Sequence, residues 1–146
     1  MKIAFSVRLP PDAGSVPLMR GLLRQTLEHL RVPTPTIEEL ALALTEACAN
    51  VVNHAGEHEE YQVDIHVDDK LCSISVLDDG QGFDLQSAED DPAPMHDGGG
   101  RGLVLMRALV DRLQFVQSDD GRHRVTLEKQ LDPGPTPPKL RLLDPR

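Results

Sequence analysis

Three short polar islands interrupt the apolar runs of this 146-residue chain: EACANVVNHA at Glu46 to Ala55, DDGQGF at Asp78 to Phe83 and GGGRG at Gly98 to Gly102. In the first, helical spacing sets Glu46, Asn50 and Asn53 on one side, because residues three and four apart share a helix face. A carboxylate and a carboxamide converge there. Magnesium takes oxygen ligands and keeps several waters, so Asn50 reads as a metal ligand whose shell phosphates and water would complete. A glutamate one turn away can orient, or take a proton from, a nucleophile attacking a γ-phosphate, and Glu46 reads as that base.

The second island continues a strand in which Cys72, Ile74 and Val76 point to one side by the two-residue period, and Asp78 is next on that side. A carboxylate carried into an apolar layer asks for a donor, and the exocyclic amine of adenine is one. Gly80 and Gly82 permit positive φ and leave room for a flat ring. In the third island Gly98, Gly99, Gly100 and Gly102 run into the apolar helical segment that begins at Leu103. A glycine loop feeding a helix N-terminus offers free N–H groups and the positive end of the dipole, which makes an anion site. Arg101 adds a phosphate or lid contact. No Gly-Lys-Ser/Thr follows and no strand immediately precedes, so the loop is neither the Walker nor the Rossmann type.

Composition limits what else the chain can be. With 24 acidic and 15 basic residues the formal charge is -9, which argues against a nonspecific nucleic-acid or anionic-membrane binder. A phosphate site must therefore draw its positive field from the backbone. No stretch approaches the roughly 18 apolar residues of a membrane span, and Met1 to Pro10 lacks a signal-type apolar region, so a cytoplasmic protein is expected. Cys48 and Cys72 interrupt apolar runs and read as small core hydrophobes rather than a disulfide framework.

The elements that must hold the islands follow from periodicity. A strand is expected over Lys2 to Leu9, then a helix over Ser15 to Leu30 with Ser15 or Asp12 as cap. A second helix over Thr36 to Ala55 opens on a Thr36/Glu39 capping box. Tyr61 to Val67 and Leu71 to Leu77 form a hairpin, Leu103 to Leu113 a third helix, and Gln114 to Gln117 and Arg124 to Leu131 two further strands around Asp119, Asp120 and Gly121. The fold class is α+β: helices and a mixed, mostly antiparallel sheet in two layers, in the order βα-α-ββ-α-ββ. Leu85 to Asp97 suits a lid over bound nucleotide. Arg20, Arg24 and Arg31 share a stripe that is either a solvated face or a docking site for an acidic partner. Residues 1–131 form one domain, and the proline-rich segment 132–146 is expected to be an extended or disordered tail.

Taken in order, the islands resemble the N, G1 and G2 boxes of the nucleotide-binding superfamily of gyrase, Hsp90, histidine kinases and MutL. The short length, the short lid and the pattern Glu-x-x-x-Asn-x-x-x-His-Ala resemble the bacterial serine-kinase anti-sigma factors of the sporulation and stress-response type. The resemblance implies that family's two-layer α/β sandwich, its helices covering one face of the sheet. It implies ATP and magnesium as cofactors, with Glu46 the base, Asn50 the metal ligand and His54 the last position of the first box. It further implies that Asp78 reads adenine, that Gly80 and Gly82 are the second-box glycines, and that Gly100 and Gly102 hold phosphate. Arg122 follows Gly121 where the family commonly has threonine. The implied activity is phosphorylation of a serine on a small antagonist protein by a homodimer that also sequesters a sigma factor. An ATP-binding interaction module without phosphotransfer, or the ATPase half of a histidine kinase, are the alternatives.

Overall fold

The computed structural model describes residues 1–54, 60–78, 99–117 and 122–131. Among these the elements come in the expected order: β1 (Ile3–Leu9), α1 (Ser15–His29), α2 (Thr34–His54), β2 (Tyr61–Val67), β3 (Leu71–Asp78), α3 (Gly99–Leu109), β4 (Arg112–Gln117) and β5 (His123–Gln130). The strands form one sheet in the order β1-β2-β3-β5-β4, antiparallel at every pairing. Ala55, the second-box glycines Gly80 and Gly82, Gly98, the lid segment, the turn at 119–121 and the tail 132–146 lie outside the described residues. No helix among the described residues is long and apolar enough to cross a membrane.

The sheet's two faces follow the alternation in its strands. Val63, Ile65, Val67, Cys72, Ile74 and Val76 form a layer almost fully withdrawn from solvent, against which Met19, Leu23 and Leu27 of α1 and Leu40, Leu44 and Cys48 of α2 pack. The opposite face carries polar cross-strand pairs. Ser6 donates from Oγ to Asp64 Oδ1 at 2.6 Å, and the Ser75 and Thr126 hydroxyls meet at 3.0 Å. The β2–β3 turn is held by Asp68, whose Oδ1 accepts from the backbone N–H groups of Lys70 and Leu71, each at 2.8 Å. Those two bonds, Lys70's first, keep its carboxyl below the usual carboxylate range.

Two helix starts differ from the sequence expectation. Helix α2 begins at Thr34 rather than Thr36, with Ile37 donating to the Pro33 carbonyl at 3.0 Å, so Thr36 lies inside the first turn and does not cap it. Pro35 is tolerated there because first-turn N–H groups lack intrahelical partners anyway. Helix α3 begins at Gly99 rather than Leu103, so Gly99, Gly100, Arg101 and Gly102 are its first turn and not a loop before it. It also ends early. Leu113 pairs with Leu127 as part of β4, a long-range sheet contact that overrides local helical spacing.

The arginine stripe of α1 is turned largely toward α2. Arg24 forms a forked ion pair with Glu38, and Arg20 donates to Thr45 Oγ1 at 3.3 Å. Both groups of the Arg24 pair are solvent-exposed, so its contribution is small. Arg31 does different work. Its φ of 62° places it in the left-handed region just past α1, where Arg31 N–H donates to Glu28 O and Val32 N–H to Leu27 O, both at 3.0 Å. This is a Schellman closure built on a residue with a Cβ. Arg31→Gly should raise the unfolding free energy by roughly 0.5–1 kcal/mol, read from the urea midpoint; an unchanged or lower midpoint would contradict the assignment.

Cys48 and Cys72 are both free and buried, and burial pushes each thiol up to about 12. For Cys48 a hydrogen bond with Tyr61 partly offsets that effect. A raised folded-state pKa contributes stability that is complete below the unfolded thiol value and lost as pH rises through the folded one. Stability should therefore fall from about pH 9 toward pH 12 by roughly 1.4 kcal/mol per unit for each thiol. Denaturation of wild type and of Cys72→Ala across that range tests this, the variant losing one thiol's share of the slope.

Candidate functional site

The site is assembled where the C-terminal half of α2 meets the first turn of α3. Glu46 and Asn50, one turn apart on α2, are both half-buried. A Cβ built on Gly102 would stand 3.2 Å from Glu46 Oε1 and 3.6 and 3.7 Å from the Asn50 amide oxygen and nitrogen. Without a side chain at position 102 the first turn of α3 lies directly against these polar atoms, and a methyl there would press on Glu46. The N–H groups of that turn, which have no partner within the helix, and the positive end of the α3 dipole therefore lie beside a carboxylate and a carboxamide.

Asp78 ends β3 and is only 6% exposed, which matches its expected place at the end of the apolar face. Its cross-strand neighbours are Tyr61 on β2 and His123 on β5. Tyr61 is fully buried, and its hydroxyl lies 2.6 Å from Ser15 Oγ. Burial, then the neighbouring Cys48, raises the Tyr61 hydroxyl above the ordinary tyrosine value. Ser15 in turn donates to the Asp12 carbonyl at 2.7 Å, while Asp12 Oδ1 accepts the Ser15 N–H at 3.1 Å; the N-cap position itself is Gly14, not the expected Ser15 or Asp12. The start of α1, the middle of α2 and the site end of β2 are thus fastened around one phenol.

The structure brings Glu46, Asn50 and Gly102 together and places Asp78 at the sheet end. Asn53 and His54, in the last turn of α2, are exposed and contribute none of the atoms nearest Gly102. Leu103 is buried, at 3% exposure. Gly99, Gly100 and Arg101 stand in the first turn of α3 through their backbones. Sequence reasoning missed His123. The strand expected over Arg124 to Leu131 left out His123, and the resemblance drew attention to Arg122, whereas the register sets His123 opposite Asp78. Arg122 instead lines a cavity of about 230 Å³ with Arg8, Glu60, Tyr61 and Gln62. The two-residue period that joins His123 to Val125 and Leu127 was the available signal.

Residues 9–129 match the histidine kinase-like ATPase domain, which is most of the chain and contains all three islands. The chain belongs to this family of ATPases. Within the family, serine-protein kinase RsbW of Bacillus velezensis is 30% identical over 128 residues, covering 80% of this chain and 79% of the relative. RsbW of Halalkalibacterium halodurans is 34% identical over 127 residues, covering 80% and 77% respectively. The solved SiaB–SiaC complex from Pseudomonas aeruginosa includes a chain that superposes with a TM-score of 0.67 over 85% of this one and 88% of its own, at 16% identity, and so shares its fold. This histidine kinase-like ATPase is thus akin in sequence to serine-protein kinases, over nearly the same span as the two-layer sandwich.

A methyl group at position 102 tests the helix contact. Gly102→Ala gains roughly 1 kcal/mol of helix propensity, and Glu46, a flexible side chain, can yield the few tenths of an ångström required. The melting temperature should hold or rise slightly while ATP affinity, measured by calorimetry, falls about tenfold or more. Unchanged ATP affinity would separate Gly102 from the site.

Proposed function

We propose that this protein is a Mg-ATP-dependent serine kinase and anti-sigma factor that phosphorylates a small antagonist protein. The observation that carries the reading is the approach of Gly102 to Glu46 and Asn50, which sets an acid and an amide against a helix N-terminus. The kinship to RsbW serine-protein kinases supports phosphotransfer to serine. The SiaB likeness, in a structure solved as a complex with SiaC, is consistent with a protein partner.

The residues present fit a magnesium nucleotide. Asn50 Oδ1 is a hard oxygen donor of the kind magnesium accepts, and the N–H groups of the first turn of α3 suit the phosphates. When bound, magnesium neutralises charge on the phosphoryl oxygens during transfer. Glu46 would accept the proton of the serine hydroxyl as its oxygen bonds to the γ-phosphorus and the bond to the bridging β-phosphate oxygen breaks, ADP leaving. Asp78 holds the adenine amine, fixing the nucleotide relative to α2. The gap that a Cβ at position 102 would fill leaves the N–H groups of α3 within reach of whatever Glu46 and Asn50 hold. In this reading the protein is a cytoplasmic homodimer whose other partner is a sigma factor.

Incubating the protein with labelled Mg-ATP and small antagonist-type proteins encoded beside it should label a serine. Glu46→Gln should reduce the transfer rate by about 100-fold or more with ATP affinity within a few-fold of wild type. ATP binding without label in any partner, but with a shift in partner affinity, would replace the kinase with an interaction module.

A further inference from the structure

The sheet's helix-covered face changes character at its site end. Its inner rows are apolar: Ile65, Ile74, Leu127 and Leu113, then Val63, Val76, Val125 and Phe115. The closing row is Tyr61, Asp78, His123 and Gln117. The Tyr61 hydroxyl is engaged by Ser15. His123 differs, because its Nδ1 is shielded from solvent and finds no hydrogen-bond partner among the described residues. Folds rarely retain such an atom unless an ion, a water or a ligand satisfies it.

We propose that His123 is a specificity-determining residue that reads the purine ring nitrogen N1 of ATP beside Asp78. The inference rests on the ATP-binding reading above. Directly opposed residues in an antiparallel pair have Cβ atoms about 4.5–5.5 Å apart, so the Asp78 carboxylate and the His123 imidazole can meet the same edge of one planar ring. An ionised carboxylate only accepts, which suits the exocyclic amine of adenine. The ring nitrogen next to that amine also only accepts, so it needs a donor, and a neutral imidazole carrying its proton on Nδ1 is one. Acceptor and donor side by side match the amine and ring nitrogen of adenine. They oppose the oxygen and N–H that guanine or hypoxanthine present on the same edge.

Calorimetric titration of the whole protein with ATP and with 1-deaza-ATP, in which a C–H replaces that nitrogen, tests the assignment. Wild type should prefer ATP by about 3- to 10-fold. His123→Leu should bind both nucleotides alike, at the 1-deaza level, whereas His123→Asn, which keeps an amide donor near the Nδ1 position, should retain a preference for ATP. In wild type with nitrogen-15-labelled histidine, the His123 Nδ1 resonance should move on adding ATP and stay put with 1-deaza-ATP, a readout that needs no variant to fold. An unmoved resonance, no wild-type preference, or equal weakening of both nucleotides in His123→Leu would overturn the role of His123 and leave the ATP site standing. No binding of either nucleotide by wild type would overturn both.

Discussion

The approach of α3 to α2 at Gly102 is the constraint on which the site depends. Glu46 and Asn50 are one turn apart on a helix whose other side is packed into the core, so α2 fixes where they stand. What they can do depends on what faces them. Because Gly102 has no side chain, the first turn of α3 lies against their polar atoms, with contacts of 3.2 Å and more even from an imagined Cβ. A methyl there would already press on Glu46, and a larger side chain would stand between the N-terminus of α3 and the acid and amide.

That arrangement also reconciles a strongly acidic protein with a polyphosphate ligand. A formal charge of -9 repels anions at long range, and screening at physiological ionic strength limits that repulsion to about 8 Å. Within that distance the field is set by local groups, and helix N–H groups with their dipole attract phosphate whatever the net charge. Two of the arginines that precede α2 have side chains committed elsewhere, Arg24 to Glu38 and Arg20 to Thr45. The stripe that could have served an acidic partner is in large part internal bracing between α1 and α2.

The base end of the site obeys a different physical rule. Apolar rows fill the covered face of the sheet until its last row, where Tyr61, Asp78 and His123 bring polar atoms to the margin of the core. Polar atoms can be kept there because Ser15 and Cys48 satisfy the phenol, fixing α1 and α2 against the strand that borders Asp78. In the proposed reading the two ends of the site rest on separate devices, a close helix contact for phosphate and a polar row anchored at Tyr61 for the base.

By itself the sequence determined the order of the elements, the inward course of Asp78, the burial of both cysteines and the shared face of Glu46 and Asn50. Each follows from a local period of two or 3.6 residues, which the backbone imposes wherever the chain goes. Tertiary structure decided the rest: that α3 starts at Gly99 and lays Gly102 on Glu46, that Leu113 joins a strand, and that His123 rather than Arg122 faces Asp78. These depend on register between strands and on how closely two helices pack, and both are set by contacts between residues far apart in the chain. Spacing could name the groups for the chemistry, but only the packing of α3 on α2 and of β5 on β3 could bring them within reach of one another.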